Sequence, residues 1–263
     1  MTELQIIGIG TWSSRHGNWE EFCAGMQTDN WPEEVKLQPD LIPSRERRRA
    51  PQLVKMAIEV MDQACKMAAI EPEESAVIFS SAMGDMQITD YICAALAQTP
   101  KLLSPTRFHN SVHNAAPGYW SITTGAFSPA SAVSAFEYTP TIAFLEACVQ
   151  AVEEQTPVLC VTQEVAAPPV LMDICPSEAP FSAAFLLAPA GFGEAPLASI
   201  EFVVEQDAAE WPDIDDRLGE FASNMSARFL PLLTALAADE ATQLRFPITE
   251  DMSLEVRLHP CTT

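Results

Sequence analysis

Basic residues are scarce in this chain. Fourteen lysines and arginines stand against 36 aspartates and glutamates, a formal charge of −22 at pH 7. That balance excludes a nucleic-acid partner, whose phosphates need a basic surface. It also disfavours docking on an anionic membrane or an acidic protein over most of the chain. Long apolar runs are missing as well: no stretch reaches the roughly 18–20 residues that would span a bilayer. The opening Met1-Thr2-Glu3-Leu4 carries an acid where a secretory leader would be basic, and it runs straight into Gln5-Ile6-Ile7-Gly8-Ile9. Export is not expected, and a cytoplasmic location follows. The seven cysteines (23, 65, 93, 148, 160, 175 and 261) form no CxxC and keep no regular spacing, which fits a reducing compartment better than a disulfide framework. The four histidines do not join them at metal-ligand spacing, so neither a metal nor a cofactor is expected.

What is present suffices for a large core: 263 residues, 48% of them apolar. Residues 4–10 alternate weakly and end in Gly8-Ile9-Gly10, a first core strand. Residues 11–44, with Pro32, Pro39 and Pro43, read as a long irregular excursion. Apolar residues at helical spacing from Leu53 to Ala64 predict a helix over 51–69, with Pro51 in its first turn. Ser75–Ser81 is an apolar run suited to a sheet buried on both faces, and a helix follows at about 87–98. One helix is expected through 107–125, then a strand at 131–134 ending in a turn, a helix over 141–152 and strands at 157–162 and 181–188. Further on come a strand at 198–204, an amphipathic helix over 213–238 with a break at Pro231, and a final edge strand at 253–258. Strand and helix alternating in this order imply an α/β fold with a mixed or parallel sheet. The Arg45-Glu46-Arg47-Arg48-Arg49 cluster has two readings: a solvated first helical turn paired with nearby acids, or a local contact for an acidic partner.

The order of these segments carries a resemblance. Phe108-His109-Asn110-Ser111-Val112-His113-Asn114, followed by Pro117-Gly118, resembles the interface segment of β-ketoacyl synthases. Ile6–Gly10 looks like their first strand and glycine turn, the arginine-rich stretch at 45–49 and Val77–Gly84 sit at equivalent places, and Glu178–Ala184 looks like the last strand of their N-terminal half. The resemblance covers roughly residues 1–190. It implies the N-terminal half of a thiolase-like fold, a mixed sheet between helical layers, over residues 1–195, with a short C-terminal extension (strand, helix, edge strand) over 196–263 packed on the same core.

In that family the strand equivalent to Ser131-Ala132-Val133-Ser134 ends in a sharp turn that presents a cysteine at a helix N-terminus, where the helix dipole and free backbone N–H groups stabilise a thiolate and then an oxyanion. Here the turn continues Ala135-Phe136-Glu137, and Glu137 falls at the nucleophile position. Cys148 and Cys160 read as inert core residues. The family's catalytic histidines lie in a C-terminal half, where this chain has only His259, and His109 and His113 read as packing or tunnel-lining groups. The resemblance therefore implies no catalytic residue and a non-catalytic subunit like the chain-length factors of polyketide and fatty acid synthesis, aryl polyene systems included. Such a subunit would form a heterodimer with a full-length ketosynthase, meet acyl carrier protein only through that partner, and shape its acyl tunnel. Phe108, His109, Asn110, Ser111, His113, Asn114, Ser131, Ala132, Val133, Ser134 and Phe136 would border the interface and tunnel. Two other readings stay open: a stand-alone acyl-thioester-processing enzyme using Glu137 as base, and a self-associating scaffold.

Overall fold

The computed structural model describes residues 2–193 and 195–261. Its frame is one eight-stranded mixed sheet. The strands are β1 (Thr2–Ser13), β2 (Ala76–Ser80), β3 (Ala130–Val133), β4 (Val158–Glu164), β5 (Phe181–Ala188), β6 (Ala198–Glu205), β7 (Thr242–Pro247) and β8 (Ser253–Pro260). They lie in the order β3-β2-β4-β5-β1-β6-β8-β7. β2 runs parallel to β3 and β4, and every other pairing is antiparallel.

Alternation sorts the side chains of each central strand between two cores. Along β5, Phe181, Ala183, Phe185 and Leu187 enter one core, while Ala184, Leu186 and Ala188 enter the other. Strands buried on both faces are apolar throughout, which is why β2, β4 and β5 were plain in the sequence. β1 breaks the rule at a bulge between Ile6 and Gly8. Leu4, Ile6 and Ile9 point to one side, and Ile7 and Trp12 to the other. A bulge inserts one residue and shifts the period-two pattern, and the weak alternation over 4–10 is its sequence trace.

Among the described residues eight α-helices complete the layers: α1 (Trp19–Thr28), α2 (Ser44–Arg47), α3 (Gln52–Ala68), α4 (Met86–Leu96), α5 (Pro105–His109), α6 (Ala115–Thr124), α7 (Thr139–Glu154) and α8 (Leu230–Ala237). α3 and α6 cover one sheet face, and α1, α7 and α8 cover the other. Gly8 and Gly10 do not form a turn, as the resemblance had implied. They lie inside β1, where α3 comes so close that a Cβ on Gly10 would sit 1.9 Å from the Val60 carbonyl oxygen, and one on Gly8 would sit 2.2 Å from that of Ala64.

Other expectations change in the same way. The excursion over 11–44 contains α1, started by Asn18, whose side chain accepts from the Glu21 N–H, and seated by Trp19, Phe22 and Met26. The helix expected through 107–125 is broken into α5 and α6 by a turn at Asn110–Asn114. The 213–238 region is helical only over α8, which opens with Pro231 in its first turn, where the missing N–H has no cost. Before it run two 3-10 segments, Asp216–Phe221 and Met225–Phe229, capped by Asp215 and Asn224. Together these segments contribute Leu218, Phe221, Phe229, Leu230, Leu232 and Leu233 to the first core, all of them buried. Finally, β8 is not an edge strand. It lies between β6 and β7, and β7 takes the edge.

Candidate functional site

The other edge of the sheet is β3, and its surroundings concentrate what the rest of the surface avoids. The Val77 and Ser81 N–H groups donate to the carbonyls of Pro129 and Val133. Alternation then turns the N–H and C=O of Ala130 and Ala132 outward, away from β2. Ser131 and Ala132 are exposed and Val133 is half-buried. Natural proteins blunt or cover such edges with charge or proline, yet Ala130–Val133 carries neither.

Eight of the eleven exposed large apolar residues among those described fall between residues 96 and 136, and Phe127 and Phe136 flank this strand in the chain. Phe127 is 94% exposed, Ile122 82%, Phe108 62% and Phe136 52%. Exposed apolar residues concentrated in one stretch of chain mark a candidate site of association. Beside it runs an open groove of about 870 Å³ whose lining includes Arg49, His109, Val112, Tyr119 and Ile122.

Beyond β3 the chain turns into α7, and the apex is Phe136, at φ +49°. A bulky residue in the left-handed region is strained. Thr139 over-determines it: its Oγ1 accepts from the Ala135 N–H at 2.8 Å and donates to the Phe136 carbonyl at 2.6 Å. The strained residue of the turn is therefore Phe136, one position before Glu137, which is exposed in the following 3-10 turn. Glu137 makes no side-chain cap at the start of α7, whose cap position is Tyr138. Cys148 and Cys160 are buried, and burial raises both thiols, Cys160 to about 12 and Cys148 well above its ordinary value.

The interface segment divides between surface and core. Phe108, His109, Ser111 and Asn114 are exposed, and Ser111 Oγ donates to the Phe108 carbonyl. Asn110 is buried and donates through Nδ2 to the Arg49 carbonyl at 3.1 Å. His113 Nε2 donates to the Ser81 carbonyl at 2.9 Å, and Ser134 Oγ donates to the Ala82 carbonyl at 3.0 Å. The structure thus brings 108–114 and 131–136 together on one turn, residues 81–84, while His259 is exposed near the end of β8, toward the opposite edge of the sheet. Of the arginine cluster, Arg47 pairs with Asp40 at 3.1 Å and bonds the Ile42 carbonyl, and Arg45, Arg48 and Arg49 line an open hollow of about 430 Å³.

One polar residue here escaped sequence reasoning. Glu164, at the end of β4, is almost wholly buried, and its Oε1 accepts from Ser81 Oγ at 2.9 Å and from the Ala82 and Met83 N–H groups. Burial pushes its carboxyl up to about 7, against the opposing pull of those donors. A glutamate closing a strand looks like a surface acid in the sequence, and its donors lie some eighty residues earlier.

Residues 13–246 match the family described as "Beta-ketoacyl synthase, N-terminal domain". No curated protein sequence is significantly similar to the chain. Solved structures are similar in fold. A chain of the complex between the ketosynthase ApeO and its chain length factor ApeC from Xenorhabdus doucetiae superposes with a TM-score of 0.71 at 20% identity, covering 98% of this chain and 100% of that one. A chain of the ishigamide ketosynthase/chain length factor gives 0.74 at 15% identity over 100% of both. A chain of the type II polyketide synthase complex AntDE:AntF, an acyl-carrier protein with its ketosynthase, gives 0.77 at 12% identity, with 99% and 100% covered. Among the described residues no helix is long and apolar enough to cross a membrane.

Proposed function

Because the chain belongs to the β-ketoacyl synthase N-terminal domain family, we propose that it is a non-catalytic subunit, like a chain length factor, that pairs with a full-length ketosynthase in elongating acyl chains held on acyl carrier protein. The observation that carries this reading is β3: an uncharged open strand edge set in a concentrated apolar surface, made to be continued by a partner strand. The turn where a ketosynthase would place its nucleophile holds Phe136 and Glu137 and no cysteine, and the nearest cysteine in sequence, Cys148, is buried with its thiol held protonated. Glu137 is exposed to water at the surface of the turn. That favours the partner role over a stand-alone enzyme. Carrier-protein docking is assigned to the ketosynthase, since a chain of −22 repels an acidic carrier over most of its surface. The neighbouring ketosynthase/chain length factor complexes support the pairing, and polyene chains, aryl polyenes among them, are the proposed product class.

Co-expression with a full-length ketosynthase of the same genome is expected to yield a stable 1:1 complex that elongates acyl chains, with neither chain active alone. Thioester turnover by the isolated chain, lost in Glu137→Gln, would establish the enzyme reading instead. A symmetric assembly of this chain with no affinity for the ketosynthase would establish the scaffold reading. Within the complex, exposed Phe108 is proposed to close the acyl tunnel sterically, because an added methylene meets its ring. Phe108→Ala is expected to shift the product distribution by at least one two-carbon unit, read by mass spectrometry. An unchanged distribution assigns the limit to another residue.

A further inference from the structure

The turn Ser81–Gly84 joins three parts of the molecule. On its outer side its carbonyls hold both exposed segments, Ser81 receiving the His113 ring and Ala82 the Ser134 hydroxyl. On its inner side two of its backbone N–H groups and the Ser81 hydroxyl converge on a single oxygen, Glu164 Oε1. Ser81 Oγ then accepts from the Gly84 N–H at 2.9 Å and closes the turn on itself. Glu164 is fixed in its turn by β4 and by Asn224, whose Nδ2 donates to the Glu164 and Ala179 carbonyls. A strand interior thus sets the position of a surface that would otherwise hang on loops.

We propose that Glu164 is a positioning residue for the partner-binding face: it fixes the 81–84 turn, and through that turn it fixes both the 110–114 segment and the end of β3. The proposal rests on the partner-subunit reading only for what that face touches, and the coupling itself belongs to the isolated chain. An apolar residue at this place would leave the buried Ser81 hydroxyl and the half-buried Ala82 and Met83 N–H groups without this acceptor, each a loss of stability. Among the described residues Glu164 Oε2 has no hydrogen-bond partner, and the three bonds are all made by the other oxygen.

The coupling has a pH signature. Asp85, at the start of α4, and the Cys175 thiol are the titratable groups facing Glu164 from neighbouring elements, and His113 stands beyond the turn. No cation pairs with Glu164 among the described residues. Its carboxyl is raised from 4.5 to about 7 in the folded chain. A raised carboxyl favours the closed structure fully below pH 4.5 and loses that advantage as pH rises to about 7. An opened turn, in which the carboxyl meets water and regains its ordinary value, therefore gains roughly ten-fold in population between pH 6 and pH 8.

Amide hydrogen exchange on the purified chain at pH 6 and pH 8, normalised to intrinsic exchange rates, tests this. Protection at Ala82 and Met83 is expected to fall about ten-fold, and Asn110, Ser111 and Ala135 are expected to fall with them, while α3 holds. Glu164→Gln keeps an acceptor and cannot ionise, so its protection should be the same at both values. Ser134→Ala removes one of the turn's two bonds to the end of β3 and leaves the Ser81 N–H on the Val133 carbonyl: Ala135 should then follow the turn more weakly while Asn110 and Ser111 follow it as before. The proposal is overturned if Glu164→Gln keeps the wild-type pH dependence, or if the 110–111 and 135 amides do not follow 82 and 83. A ketosynthase that fails to co-purify would overturn the partner-subunit reading and leave the exchange result intact.

Discussion

Ala132→Pro is expected to abolish pairing with the ketosynthase while leaving the chain folded. The Ala132 N–H points away from β2, so proline there removes no bond of the internal ladder. Proline is also tolerated on edge strands for this reason. What it removes is the outward donor that a partner strand would need. It also brings a ring into the space that strand would fill. The expected loss is about 2–4 kcal/mol, roughly 30- to 1,000-fold in affinity, from one strand-to-strand bond and the contacts around it. Ser131→Pro is the matching control on the inner side. The Ser131 N–H faces β2, so this variant should lose stability first. Size-exclusion chromatography of the co-expressed pair, with urea unfolding of each isolated variant, separates the two effects. Full retention of the complex by Ala132→Pro would place the interface elsewhere.

Gly10→Ala is expected to destabilise the chain by about 3 kcal/mol or more. The added methyl would lie 1.9 Å from a backbone oxygen of α3, so relief requires moving a helix rather than a side chain. Overpacking a well-filled interior costs ~1–3 kcal/mol even where side chains can yield. Against a total stability of about 5–15 kcal/mol, this is a large fraction. Gly118→Ala, in α6 with open space around its Cβ position, should be neutral or stabilising by up to ~1 kcal/mol. Urea midpoints for the two variants measure the contrast. A loss below ~1 kcal/mol for Gly10→Ala would mean that α3 shifts freely on β1.

How far the fold was legible in the sequence depended on how each element is buried. β2, β4 and β5 are enclosed on both faces and announced themselves as apolar runs. α3 and α7 carried helical apolar spacing and lie close to where it placed them. α1 was hidden because tryptophans and prolines flank a short amphipathic stretch, although Asn18 followed by Glu20 and Glu21 was a readable start. β7 was missed although Leu244 and Phe246 alternate with polar residues, and its omission left β8 looking like an edge. Helical spacing continued through 213–238, but Pro231 and two side-chain caps at Asp215 and Asn224 set local turns that periodicity does not see.

The site was legible as segments and illegible as geometry. The residue pattern marked 108–114 and 131–137, and the structure joins them on one turn. It did not show that Phe136 would take the left-handed apex, because phenylalanine has no preference for that conformation and Thr139 imposes it from three residues on. Nor did it show Glu164, whose burial is created by a turn distant in the chain.

The bulged first strand has one more consequence, in time. β1 occupies residues 2–13, and both of its neighbours, β5 and β6, lie beyond residue 180. On a ribosome adding about 5–20 residues per second, β1 waits roughly 10–35 s before either exists. In that interval its Leu4, Ile6, Ile7 and Ile9 are unpaired apolar residues, and α1 on one side and α3 on the other, both made within the next sixty residues, are the elements that can shelter them. The close seat that Gly8 and Gly10 provide for α3 thus serves the growing chain first: a strand docked early against a helix is one that a chaperone need not hold.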